Sequence, residues 1–196
     1  MKKIIIVMTL IITALCLTGC GKGNIKDLSE NIKKMELTGN LVTYKAYYHN
    51  VVEYEKEKGS GITHLFEKDR KMFIEYTGTI KLGINLTDVK IDVNDDEINV
   101  FVPMAKVIGE PNVDKNNFKE ENFIESKEGI NKNKITADDS AEVFNKAQKS
   151  IKENASKDKE LLSLAQKRAR VILEESIKEF SQIDDSKYTI NWEYGQ

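Results

Sequence analysis

Thiols, prolines and histidines are almost missing from this chain, and each shortage removes a class of chemistry. There are two cysteines, two prolines and two histidines in 196 residues. Cys16 lies inside an N-terminal apolar run and Cys20 just beyond it, so the chain after Cys20 carries no thiol. Such a body has no disulfide, no thiolate metal site and no cysteine nucleophile. Two prolines and eleven glycines are too few for a low-complexity polymer. His49 and His64 have no histidine or carboxylate at metal-ligand spacing and form no His-Glu-x-x-His pattern, so neither reads as a ligand or catalyst. Phosphate-binding loops, nucleophile elbows and dinucleotide fingerprints are also absent. Ser60, between Gly59 and Gly61, reads as part of a turn rather than as a nucleophile. No catalytic residue, metal or cofactor is expected.

An excess of charge of one sign is lacking too. Thirty basic and 32 acidic side chains give a net charge of −2, without the clustered basic face that nucleic acid requires. Long hydrophobic runs are lacking as well. The longest, residues 4–17, has about fourteen residues, short of the ~20 that cross a bilayer as a helix.

What that run does have is context. Lys2 and Lys3 precede it and Leu17-Thr18-Gly19-Cys20 closes it. A basic start, a short apolar segment and small residues before a cysteine are the layout of a lipoprotein signal. The expectation is cleavage before Cys20 and lipid on its thiol, two acyl chains being enough to hold a protein stably to a membrane. The predicted location is the cell membrane, on its extracytoplasmic side. The predicted partner is the bilayer, through Cys20, with a protein partner left open and no nucleic acid. Residues 1–19 are then the signal and 20–36 a tether and short helix. Within it, Ile25, Leu28, Ile32 and Met35 recur at helical spacing. Gly21–Asn24 spans only about 14 Å when extended, which keeps the body near the bilayer.

Residues 37–194 read as a single α+β domain, a curved, mainly antiparallel sheet packed against C-terminal helices. From Leu41 the period is two: Val42, Tyr44, Ala46, Tyr48, Val52 and Tyr54 share one face, and Lys45, Tyr47, His49, Val51 and Glu53 the other. Alternation resumes with Met72, Ile74, Tyr76, Ile80, Leu82, Ile84 and Leu86, where Gly78 and Gly83 mark bulges or bends. A hairpin about Asp95-Asp96 sets Val93 against Ile98, Ile91 against Val100 and Val89 against Val102. That register explains the acidic tip without calcium. Met104 to Val113 reads as a further extended piece ending near Pro111, and Phe118, Phe123 and Ile124 as pins for the polar stretch that follows.

Thr136 opens a helical region with Asp138 and Asp139 in its first turn. Its apolar stripe is Phe144, Ala147, Ile151, Ala155, Leu162, Ala165, Ala169, Ile172 and Phe180. A break is expected within Asn154 to Lys159. Tyr188, Ile190 and Trp192 then alternate as a last strand returning to the sheet.

Three segments together are similar to domain-of-unknown-function family 4230. They are Leu37 to Tyr54, Gly78 to Val89 with its Gly83-Ile84-Asn85-Leu86 core, and Val100-Phe101-Val102-Pro103. The resemblance covers roughly residues 37–194 and implies an α+β fold, frequent membrane anchoring and no assigned activity. Asn85 stands where the family's aspartate is expected. The resulting expectation is a non-enzymatic binding or scaffolding protein at the membrane surface. The alternatives are a hydrolase whose carboxylates converge only in the fold, and a scaffold self-assembling through the Phe144–Phe180 stripe.

Overall fold

The computed structural model describes residues 30, 32, 35, 37–94, 97–125, 133–181 and 188–195. Cys20, most of the short helix and the Asp95-Asp96 tip lie outside them; Ile32, in a helical turn, is buried in the core. The first two strands, β1 (Asn40–Lys56) and β2 (Arg70–Asn85), form a long antiparallel hairpin. Its inner face carries Ala46, Val52 and Tyr54 from β1 and Met72, Ile74, Tyr76, Ile80 and Leu82 from β2, all buried. The alternation read from the sequence therefore holds through most of the hairpin.

It fails at one end for a specific reason. The register shifts between Val42 and Tyr44, leaving Thr43 as an extra residue in β1. An inserted residue reverses which side chains face inward. Val42 is accordingly 42% exposed while Leu41 packs on the core. Thr43 uses its position to donate its hydroxyl to the Ala165 carbonyl at 2.7 Å.

The expected sheet divides into two. The first runs β1-β2-β5, with β5 (Lys106–Val113) antiparallel to β2 and the short β6 (Ile124–Glu125) also on β2. The second runs β3-β4-β7, from β3 (Lys90–Asn94), β4 (Glu97–Val102) and β7 (Thr189–Tyr194). A 3-10 turn at Leu86–Asp88 separates the sheets, and Asn85 caps it by accepting from the Thr87 N–H at 3.1 Å. An aspartate would accept the same bond, so asparagine here conserves the turn. The β3–β4 hairpin pairs Ile91 with Val100 and Val93 with Ile98, the register derived from sequence. The last strand does return, but parallel to β4.

Pro111 does not end β5. It sits in the stretch where the β2–β5 register shifts, with Gly109 at φ 77°, and pairing resumes at Asn112 and Val113. A proline is tolerated at such a bulge because the ladder does not need its missing N–H.

Two helices cover the inner face: α1 (Ala137–Lys157) over β5 and β1, and α2 (Lys159–Ser181) over β1, β2 and β4. Thr136 caps α1 reciprocally with Asp139. Asp158 breaks the helical region as expected, accepting from the N–H groups of Glu160 and Leu161 and so capping α2. The buried row is Val143, Ala147, Ile151, Ala155, Leu162, Ala165, Ala169, Leu173 and Ile177. This corrects the predicted stripe at its ends: Phe144 is half-buried and Ile172 is 38% exposed. The row follows the i, i+4 ridge of each helix instead of the 3.6-residue average, which carries it to Leu173 and Ile177. The Phe180 side chain lies outside the description.

Candidate functional site

The helices cover one side of the long hairpin and leave its outer face open. There the cross-strand pairs are Tyr47 with Thr79, His49 with Thr77 and Val51 with Glu75. An open groove of about 720 Å³ lies at the middle of the hairpin, where β5 ends, lined by Tyr47, Tyr48, His49, Thr77, Gly78, Thr79, Asn112, Val113, Asp114 and Lys115.

Local structure fixes this groove. Gly78 lets Ile151 approach from behind, since a β-carbon there would come within 2.6 Å of the Ile151 Cδ1. Beyond Val113 the chain turns into the 3-10 segment Lys115–Phe118, capped by Asp114, which accepts from the Asn116 N–H at 3.0 Å. Asp114 donates its own N–H to the Thr77 carbonyl at 3.0 Å, and Asn117 Oδ1 accepts from the Thr77 N–H at 3.2 Å. Phe118 anchors the segment edge-on to Phe144 and beside Tyr76. At the groove margin, His49 Nε2 meets Glu75 Oε1 at 2.5 Å. Tyr48 is held above the usual phenol range, first by burial and second by the negative charge of Asp158. The groove thus offers hydroxyls, an amide, the His49 imidazole, an exposed phenol, the Asp114 carboxylate and the Lys115 ammonium: hydrogen bonding, stacking and charge pairing.

The strongest polar cluster lies elsewhere, where β1 meets α1. The Tyr54 hydroxyl donates to Asp139 Oδ1 and lies at the same 3.1 Å from Glu142 Oε2. Lys56 Nζ bonds both Asp139 Oδ2 and the Lys134 carbonyl. Burial pushes the Asp139 carboxyl up, but the bonds from Lys56, Thr136 and Tyr54 together hold it below its ordinary value. Burial and the two carboxylates push the Tyr54 phenol strongly up. Asp139 is buried and Glu142 exposed, and neither lines the groove. This cluster fastens a helix to a strand.

Both histidines prove to have carboxylate neighbours that sequence spacing did not bring out. Glu75 reaches His49 across the hairpin, and Glu67 lies 2.8 Å from His64 Nδ1. That contact, with the Gly59 N–H, lowers the Glu67 carboxyl. No group of three or more potential ligands gathers for a metal among the described residues. Ser60 lies in the connection between β1 and β2, where Ile62 and Leu65 are exposed. Those two apolar residues escaped the sequence reading because they show no periodicity; their position between two strands was the available signal.

The span of residues 33–189, which ends at the first residue of β7, matches the family described as protein of unknown function (DUF4230). The chain belongs to that family. No curated protein and no solved structure matches it. Membership in DUF4230 brings the domain and no assigned activity. Asn85 serves as a turn cap in this member.

Proposed function

We propose that this DUF4230 protein is lipid-anchored through Cys20 on the extracytoplasmic side of the cell membrane, where it binds or scaffolds without catalysing a reaction. The observation that carries the reading is Leu17-Thr18-Gly19-Cys20 following a basic start and a short apolar run. The open outer face of the β1–β2 hairpin supplies a surface for binding, with Tyr47 76% exposed beside hydroxyl and amide groups. An exposed aromatic ring beside hydroxyl and amide groups, with Asp114 and Lys115 on the same groove, suits recognition. Self-assembly through the long helical stripe has little support, because that stripe is spent on the chain's own core.

The test is metabolic labelling with a fatty acid followed by membrane fractionation. Cys20→Ala abolishes the label and releases or misprocesses the protein; unchanged labelling overturns the reading. A photo-crosslinking comparison addresses the binding surface. Thr79→Arg, in the groove, reduces the neighbours captured by the lipidated protein and leaves labelling intact. An unchanged set of neighbours removes the groove from the proposal.

A further inference from the structure

The outer edge of β1 is a surface in its own right. Strand β1 is 17 residues long and stands at the end of its sheet, paired on one side with β2. The direction of its backbone groups follows from two independent contacts. Thr77 turns its N–H to Asn117 and its carbonyl to Asp114, both away from β1. In an antiparallel ladder the residue opposite such a residue also turns both groups away from its partner. That residue is His49. With a period of two, Lys45, Tyr47, Val51 and Glu53 point the same way. The Glu53 carbonyl confirms the parity, since it accepts from Lys146 Nζ of α1 at 2.8 Å.

Helix contacts therefore reach β1 near its two ends, at Thr43 and at Glu53. Between them, Lys45 to Val51 shows no register shift and no proline. Among the described residues no strand covers this edge. An unblunted edge with exposed apolar side chains is a template for another strand, and Tyr47 and Val51 are 76% and 63% exposed.

We propose that a second copy of this chain occupies the edge, β1 against β1 in antiparallel register about a two-fold axis at His49. The sequence is self-complementary in that register. Lys45 meets Glu53 and Tyr47 meets Val51, an opposite-charge pair and an aromatic–β-branched pair, each of the kind that stabilises cross-strand contacts. Residues of the same parity meet, so outward N–H groups face outward carbonyls. Sliding by two residues one way sets Tyr47 against Glu53 (with Lys45 opposite Glu55) and the other way sets Lys45 against Val51, so only this register keeps both pairs; a slide of one sets outward groups against inward ones. At the axis each His49 keeps its own Glu75. The interface is isologous, as a closed dimer requires. The inference goes beyond the anchored-binder reading because it needs neither lipid nor ligand.

Disulfide trapping tests it on the full chain carrying Cys16→Ser and Cys20→Ser, so that one introduced thiol stands alone. Opposed residues in a hydrogen-bonded antiparallel pair lie about 5.5 Å apart at Cα, within disulfide reach. Under mild oxidation His49→Cys gives a covalent dimer. Tyr47→Cys and Val51→Cys give little dimer separately and much when mixed, since each faces the other and lies about four residues (~13 Å) from its own copy. Adding Glu53→Lys lowers the His49→Cys yield several-fold, and adding Lys45→Glu with it restores the yield. The proposal is overturned if His49→Cys traps no more dimer than Val171→Cys on the exposed side of α2. It is equally overturned if Tyr47→Cys traps itself as well as it traps Val51→Cys. Because lipidation is removed throughout, failure here leaves the anchor untouched, and fatty-acid labelling is read separately.

Discussion

Gly83 lies so close to the Leu41 carbonyl, beside the β1–β2 bulge, that no side chain fits between them. A β-carbon on Gly83 would overlap the Leu41 carbonyl oxygen and lie 2.8 Å from its carbon. The obstacle is backbone, which cannot rotate aside. Gly83→Ala is therefore expected to destabilise the protein by about 2–3 kcal/mol, in the upper part of the range for overpacking. Denaturant titration checks this. A loss below about 0.5 kcal/mol, the ordinary scatter of surface substitutions, would show that the bulge relaxes freely.

Gln166 joins three pieces of chain with one buried amide. Its Nε2 lies 3.2, 3.0 and 3.0 Å from the carbonyls of Val102, Pro103 and Gly195. Leucine fills a similar volume but leaves these acceptors without that donor, at a cost of about 1–3 kcal/mol. Gln166→Leu should lower global stability by that order and speed amide exchange in β7 more than in the β1–β2 hairpin. Equal acceleration in both would remove Gln166 from the attachment of the last strand.

Asp139 predicts an acid-sensitive joint. Its carboxyl is held below the ordinary value in the folded state, so the unfolded chain takes up the proton first as pH falls. The stability it contributes is present above the unfolded carboxyl value of about 4 and is lost as pH falls through the lower folded one. Asp139→Asn should cost about 1–3 kcal/mol at neutral pH, because the Lys56 ammonium loses its charged acceptor. The difference from wild type should narrow below about pH 4. Urea melts across pH 2–7 read this directly. A constant gap over the whole range would contradict it.

The fold was legible wherever side-chain alternation met a buried face. Val93 and Ile98 could be paired from sequence because a slip of one residue exposes every apolar side chain of that hairpin. The bulge at Thr43 was not legible: an inserted residue leaves the pattern intact locally and changes only its phase. The helix ends failed similarly, since Ile172 and Leu173 are equally apolar and only the track of α2 across the sheets decides between them. The division into two sheets depends on a three-residue turn after Asn85, which has no hydrophobic signature. The groove was legible least of all. Thr77, Asn112 and Asp114 are ordinary polar residues until β2 and β5 bring them together.

The pairing of β7 with β4 has a consequence for how the protein is made. Asn99 and Asn191 are bonded at 3.1 Å although 92 positions separate them. Synthesis runs from the N-terminus, so the partner for this edge of β4 does not exist while both helices are being made. Only when Thr189–Tyr194 emerges does that edge close. A chain cut short before β7 would thus carry an unpaired strand as a mark of its incompleteness, readable by any factor that recognises open edges.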